Sequence, residues 1–127
     1  MIVAGIGCRS GCGADEIVAL IGEAVKRAGI ANCRFTALAT AAFKAGEPGV
    51  REAAERMALP LLPVGADAMR AVEADCPTRS EKALEATGFA SVAEAAALAA
   101  AGPNGRLVLP RIASAMATCA LAERAGR

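Results

Sequence analysis

The chain has 127 residues, which suits a single domain, residues 1–127, that buries roughly two-thirds of its unfolded surface. Hydrophobic residues make up 55% of it and aromatic residues only 2%, so we expect a core of Ala, Val, Leu and Ile. The net charge of +1, without a block of like charges, argues against nucleic acid or an anionic membrane surface as partner, and the lack of histidine excludes imidazole bases and imidazole metal ligands.

The first predicted strand leads into a glycine-rich loop. Residues 2–6 are apolar, and residues 7–13 contain three glycines together with Arg9 and Ser10. Glycines bring bare N–H groups close to a ligand, and a helix starting near Ala14 would direct its positive end at the same place. The loop therefore predicts an anion site. It is not a Walker loop, and it lacks the third glycine of a dinucleotide fingerprint.

Helices and strands alternate through the first half of the chain. Apolar spacing predicts a helix over residues 15–27, closed by Gly29, and a strand over residues 33–38. A helix opening at Glu47-Pro48 comes next, and then a strand over residues 59–64. The two prolines of this strand favour a position near a sheet edge.

The second half predicts three helices and two strands. Helices over residues 67–74 and 80–87 flank a Cys76-Pro77 break, and a capping box of Ser91 and Glu94 begins an alanine-rich helix that runs to Ala101. Residues 107–109 and 117–121 are too close for a crossover helix, so we expect neighbouring antiparallel strands or one broken strand. The whole pattern predicts an α/β domain.

Cysteine usage and hydropathy bear on metal binding and location. The five cysteines, Cys8, Cys12, Cys33, Cys76 and Cys119, contain no CxxC pair, which predicts reduced thiols without bound metal. No window reaches the roughly 20 apolar residues that span a bilayer, so we expect a cytoplasmic protein.

Five separated segments resemble one known family. They are Gly5-Ile6-Gly7-Cys8-Arg9, Ala39-Thr40 with Lys44 and Glu47, residues 91–98 (SVAEAAAL), Leu107-Val108-Leu109-Pro110, and residues 117–121 (ATCAL). In this order they resemble the CobE/CbiG C-terminal domain family of cobalamin biosynthesis. The resemblance implies a single-domain three-layer α/β sandwich with a central mixed sheet flanked by helices.

The resemblance also implies a function in corrin-ring construction, with no cofactor. The first hypothesis is an accessory or carrier protein that binds a polycarboxylate corrin or precorrin intermediate, with other enzymes of the pathway as further partners. The alternative is an enzyme or enzyme subunit that, like full-length CbiG proteins, opens a lactone on cobalt-precorrin 5A and releases acetaldehyde.

Candidate binding residues come from the loop, from the region after the second strand and from the final turn. They are Gly7, Cys8, Arg9, Ser10, Thr40, Lys44, Glu47, Arg111, Ser114 and Thr118. Arg9, Lys44 and Arg111 are the expected carboxylate partners. Glu47 is either a general base or a residue that stabilises a helix N-terminus, and Cys8 is either a nucleophile or a structural thiol.

Overall fold

The computed structural model describes residues 2–30 and 34–124. The strands are β1 (Ile2–Cys8), β2 (Phe35–Ala41), β3 (Leu61–Val64), β4 (Gly105–Ala113) and β5 (Ala117–Arg124). The helices are α1 (Ala14–Ala28), α2 (Pro48–Arg56), α3 (Ala66–Val72), α4 (Glu81–Thr87) and α5 (Val92–Ala101). Short 3-10 turns at Ala42–Lys44 and Glu73–Asp75 follow β2 and α3.

The strands form one mixed sheet in the order β3-β2-β1-β5-β4. β1, β2 and β3 are parallel, whereas β5 is antiparallel to both β1 and β4. The chain therefore extends the sheet from β1 in one direction and later returns to its other side. This change of direction at β1 is where open α/β sheets form ligand crevices, beyond the carboxyl ends of the strands.

Two apolar cores lie on the two faces of the sheet. Alternate residues of β1, such as Ile6, face α1 and α2, where Ile17 and Val50 are fully buried. Val3 faces the opposite side, which Met69 of α3 and several alanines of α5 cover. The arrangement is a three-layer α/β sandwich, as the family resemblance implied.

All five predicted strands and all five predicted helices are present among the described residues, with several shifted ends. β1 continues to Cys8, because Gly7 and Cys8 pair with Thr118 and Ala117 of β5. β3 lies at the sheet edge, as its prolines indicated. The last two strands are antiparallel neighbours rather than one broken strand. The predicted start of β2 at Cys33 lies outside the described residues.

In the two described stretches of chain, no single helix has the length and apolar character needed to cross a membrane. α4 and α5 pass that test only as a pair, which is bent by 72°.

Candidate functional site

A cleft of about 770 Å³ opens at the carboxyl ends of β1 and β4. Its floor and walls come from the end of β1, the 3-10 turn after β2, and the β4–β5 turn. The N-terminus of α5 and one side of α4 complete it. The volume is within the range of about 300–1,000 Å³ that is typical of small-molecule sites.

Four basic residues line this cleft, and no acidic residue does so in the described part of the chain. They are Arg9, Lys44, Lys82 and Arg111, which come from four different elements or loops. None of the ion pairs formed between described residues involves any of the four. Because the whole chain carries a formal charge of only +1, the positive charge is concentrated in the cleft.

The end of β1 supplies Gly7 and Cys8 to the cleft, and the loop that follows supplies Arg9. A Cβ at Gly7 would lie 2.6 Å from Oγ1 of Thr118 and 3.4 Å from Cβ of Val92, so glycine permits close packing there. Burial raises the pKa of the Cys8 thiol to about 11, although the charge of Lys44 opposes the shift. At neutral pH Cys8 is therefore a protonated thiol, which favours the structural interpretation over the nucleophile.

Glu47 and Lys44 hold the loop after β1. Oε1 of Glu47 accepts a hydrogen bond from the backbone N–H of Gly11 at 3.1 Å, and Nζ of Lys44 donates to Oγ of Ser10 at 3.3 Å. Gly11 has φ +86°, a conformation that glycine adopts readily. Ser10 and Glu47 support the loop but do not line the cleft.

Thr40 has a different position from the one the sequence predicted. It belongs to β2 rather than to the loop after it, and its side chain is fully buried. Its hydroxyl donates to the carbonyl of Ile6 at 2.7 Å, which ties β2 to β1. Thr40 is absent from the cleft lining.

The β4–β5 turn forms the far wall and is fixed by Glu16 of α1. A carboxylate oxygen of Glu16 accepts hydrogen bonds from the Ser114 hydroxyl and, at 2.7 Å, from the Met116 N–H. Both hydrogen bonds lower the pKa of Glu16, and the bond from Ser114 has the larger effect. Ser114 and Thr118 line the cleft, but both hydroxyls already bond within the protein, Thr118 to the Gly7 carbonyl at 3.4 Å.

The roof consists of α4 and the first turn of α5. Ser91 is the N-cap of α5, and Ser91 and Val92 line the cleft, whereas residues 10–16 at the start of α1 do not. Ser80, the N-cap of α4, lines the cleft too, so the helix N-termini at the cleft are those of α4 and α5, not the predicted one of α1.

The predicted capping box is only half formed. Oγ of Ser91 accepts from the N–H of Glu94 at 3.4 Å, as expected. The Glu94 carboxylate, instead of returning to Ser91, accepts hydrogen bonds from Thr78 and from the backbone N–H of Arg111. The prediction of a reciprocal box was wrong, because the fold brings two other segments within reach of this buried side chain.

Seven of the ten predicted binding residues line the cleft: Gly7, Cys8, Arg9, Lys44, Arg111, Ser114 and Thr118. Ser10 is in the loop after β1, Glu47 is the N-cap of α2 and bonds to that loop, and Thr40 is buried in β2. Lys82 and Phe43 also line the cleft but were not among the predicted residues, and Phe43 is 54% exposed. The signal available for Phe43 was its position next to Lys44 in a chain that has only three phenylalanines.

The described residues contain no group of three or more Cys, Asp and Glu side chains that could hold a metal ion. Cys8, Cys12, Cys76 and Cys119 are free thiols. Cys33 lies outside the described residues, so the reduced state of all five cysteines stays a prediction.

Comparison with known proteins gives one consistent family. The profile of the family described as "Cobalamin synthesis G C-terminus" matches residues 2–122. A curated protein CobE from Sinorhizobium sp. is 36% identical over 121 residues, which cover 95% of this chain and 79% of that protein.

Solved structures agree with this result. A crystal structure of CobE, from the cobalamin biosynthetic pathway, superposes with a TM-score of 0.89 at 35% identity and covers 96% of this chain and 89% of that one. The cobalamin biosynthesis protein chiG from Agrobacterium tumefaciens gives 0.78 at 42% identity, covering 99% of this chain and 100% of the other. A cobalamin biosynthesis protein G homolog from Sulfolobus solfataricus gives 0.74 at 27%, where 97% of this chain matches 36% of that longer one. The chain thus belongs to the CobE/CbiG C-terminal family of cobalamin biosynthesis proteins.

Proposed function

We propose that the protein binds a polycarboxylate intermediate of corrin-ring construction in the cleft and acts as an accessory or carrier protein. The observation that carries this proposal is the composition of the cleft lining. Among the described residues, the lining contains four cations that form no ion pair, and it contains no carboxylate. A ligand with several negative charges would supply the missing partners.

The position of the cations fits a ring with charged substituents. The four side chains come from the loop after β1, from β4, from α4 and from the turn after β2, so they reach the cleft from four different parts of the chain. Corrin precursors carry acetate and propionate groups around the ring. Arginine binds such carboxylates bidentately, and lysine binds them as a point charge.

Apolar side chains cover much of the remaining surface. Phe43, Val92 and Met116 line the cleft together with several alanines. A binding site that combines apolar walls with a few polar groups is typical of small-molecule recognition. These walls suit the body of a macrocycle, and the cations suit its periphery.

The lactone-opening alternative has less support. Glu47, its candidate base, bonds the Gly11 N–H and does not line the cleft, and the raised pKa of Cys8 keeps this thiol protonated at neutral pH. A base would have to come from outside the described lining, or from the ligand itself. The carrier hypothesis requires no such group.

The test is a titration of purified protein with corrin and precorrin intermediates, followed by absorbance. Cobyrinic acid, a corrin that keeps its side chains as free carboxylates, is a stable probe. We expect saturable binding with no change in the mass of the probe. Absence of binding for every intermediate would contradict the proposal, and a new product by mass would favour the enzyme.

Arg9→Ala and Arg51→Ala make a matched pair for this titration. Arg51 is exposed on α2 and does not line the cleft. Loss of a charged hydrogen bond costs about 1.5–3 kcal/mol, so Arg9→Ala should weaken binding roughly ten- to a hundredfold. Arg51→Ala should bind as the wild type does. Equal affinities in all three proteins, with normal melting, would remove Arg9 from the site.

A further inference from the structure

Glu94 joins two segments that contribute to the cleft lining, one through Ser80 and the other through Arg111. It is in the first turn of α5, and its side chain is fully buried. One carboxylate oxygen accepts from the N–H of Thr78 at 3.0 Å. The other accepts from the Thr78 hydroxyl at 2.6 Å and from the Arg111 N–H at 2.9 Å.

The bond to Arg111 occurs where β4 departs from regular pairing. Leu109 pairs with Leu121 and Ile112 with Cys119, so β4 advances three residues while β5 advances two. The extra residue makes a bulge at Pro110 and Arg111. A bulge redirects side chains and frees a backbone N–H from the ladder, and Glu94 accepts a bond from this N–H.

The bonds to Thr78 hold the segment that leads into α4. Ser80, two residues later, is the N-cap of α4 and lines the cleft together with Lys82. The N–H of Ser80 donates to the carbonyl of Ala90, the residue that precedes the N-cap of α5. Thr78 and Ser80 thus anchor the start of α4 to the start of α5.

We infer that Glu94 is a positioning residue that sets the cleft by holding the Arg111 bulge and the Thr78–Ser80 segment at a fixed separation. A carboxylate suits this role because it only accepts hydrogen bonds, and the donors that converge on it are all uncharged. In glutamine an NH₂ group replaces one of the two oxygens, and because it cannot accept a hydrogen bond, at least one of these donors would lose its partner. The inference rests on the proposed function, since the cleft acts through its ligand.

The first experiment needs no ligand. Amide hydrogen exchange, followed by NMR, should show that Glu94→Gln loses protection at Arg111 and Thr78 while amides of β1 keep theirs. Ile17→Ala, in the core on the other face of the sheet, serves as a destabilised control. Unchanged protection at Arg111 in Glu94→Gln, or an equal loss in Ile17→Ala, would overturn the inference.

The second experiment is a double-mutant cycle with cobyrinic acid as probe. In the wild type, Arg111→Ala should weaken binding by about tenfold or more. In the Glu94→Gln background, where Arg111 is already misplaced, the same change should weaken it by no more than about twofold. In the Ile17→Ala background the full effect should remain. Additive losses in Glu94→Gln would refute the positioning role.

Two further outcomes keep the hypotheses apart. If Glu94→Gln does not fold, the cycle is repeated with Thr78→Val, which removes the hydroxyl donor to Glu94. The coupling between Thr78→Val and Arg111→Ala should then be smaller. If the wild type does not bind the probe, the proposed function fails, whereas the exchange experiment still tests the Glu94 network on its own.

Discussion

Arg9 and Glu47 show that charged residues around the cleft act in different ways. Arg9 is exposed and lines the cleft, so its charge is available to a ligand. A carboxylate oxygen of Glu47 accepts a hydrogen bond from the Gly11 N–H, and this bond holds the loop that carries Arg9. Cys8, between the strand and this loop, is a half-buried thiol with a raised pKa.

The raised pKa of Cys8 predicts slow alkylation. Because the thiolate is the reactive form, and the pKa is about 11, iodoacetamide should modify Cys8 slowly near neutral pH. The rate should rise as the pH approaches the pKa. Mass-spectrometric peptide mapping against reaction time measures Cys8 by itself. Rapid modification near neutral pH would show that the thiol is activated and would restore the nucleophile hypothesis.

Helix α5 packs against β1 more closely than ordinary side chains permit. A Cβ on Gly5 would lie 2.0 Å from the backbone oxygen of Ala93 and 2.8 Å from Cβ of Ala97. This contact places the N-terminus of α5, with Ser91 and Val92, at the roof of the cleft. The alanine-rich sequence of α5 is thus a requirement of close helix-sheet packing.

Gly5→Ala should therefore destabilise the fold strongly. No flexible side chain can yield at the 2.0 Å contact with Ala93, so we expect a loss of about 3 kcal/mol in the free energy of unfolding, the upper end of the usual cost of overpacking. Urea denaturation measures it. Gly22→Ala is the control, because Gly22 lies inside α1 with open space around it and should gain about 0.5–1 kcal/mol. Similar stabilities for the two variants would contradict the packing argument.

Charge and titratable groups are distributed unevenly over the whole molecule. Arginines elsewhere, such as Arg27, Arg56 and Arg106, pair with carboxylates, while the four cleft cations form no ion pair with any residue that the structure describes. Buried thiols with raised pKa values lie in both cores, at Cys119 and Cys76. Both distributions have consequences that can be measured.

Ligand binding should depend strongly on salt. The Debye length falls from about 10 Å at 0.1 M salt to about 3 Å at 1 M, which screens the exposed part of the charge attraction. The affinity for cobyrinic acid should fall over this range, and the dependence should be shallower in Arg9→Ala. An affinity that does not change with salt would assign binding to the apolar walls instead of the cations.

Stability should decrease at alkaline pH. Burial raises the pKa of Cys76 to about 11 and that of Cys119 to about 12, from an ordinary 9.0. Above pH 9 the unfolded chain therefore loses thiol protons that the folded protein retains, so the free energy of unfolding falls as the pH rises towards 12. Urea midpoints across this range test it, without interference from tyrosine, which the chain lacks. Cys119→Ala should have a shallower slope, and an unchanged slope would contradict the assignment.

Much of the fold could be predicted from local sequence. Apolar periodicity and the residues at element ends, such as Gly29 and Ser91, identified the helices and strands, because these signals act over a few neighbouring residues. The β1 loop, Lys44 and Arg111 were also predicted to lie at one place, since strand ends in an open sheet converge. Arg9, Lys44 and Arg111 do line one cleft.

Tertiary structure alone decided what each polar side chain contacts. Thr40 and Glu94 are buried, Lys82 lines the cleft, and α5, but not α1, contributes a helix N-terminus to the cleft. These outcomes depend on contacts between residues far apart in sequence, such as Glu94 with Arg111 and Glu16 with Met116. A sequence read in short windows determines which elements form, whereas the packing of those elements determines which side chains remain free to bind a ligand.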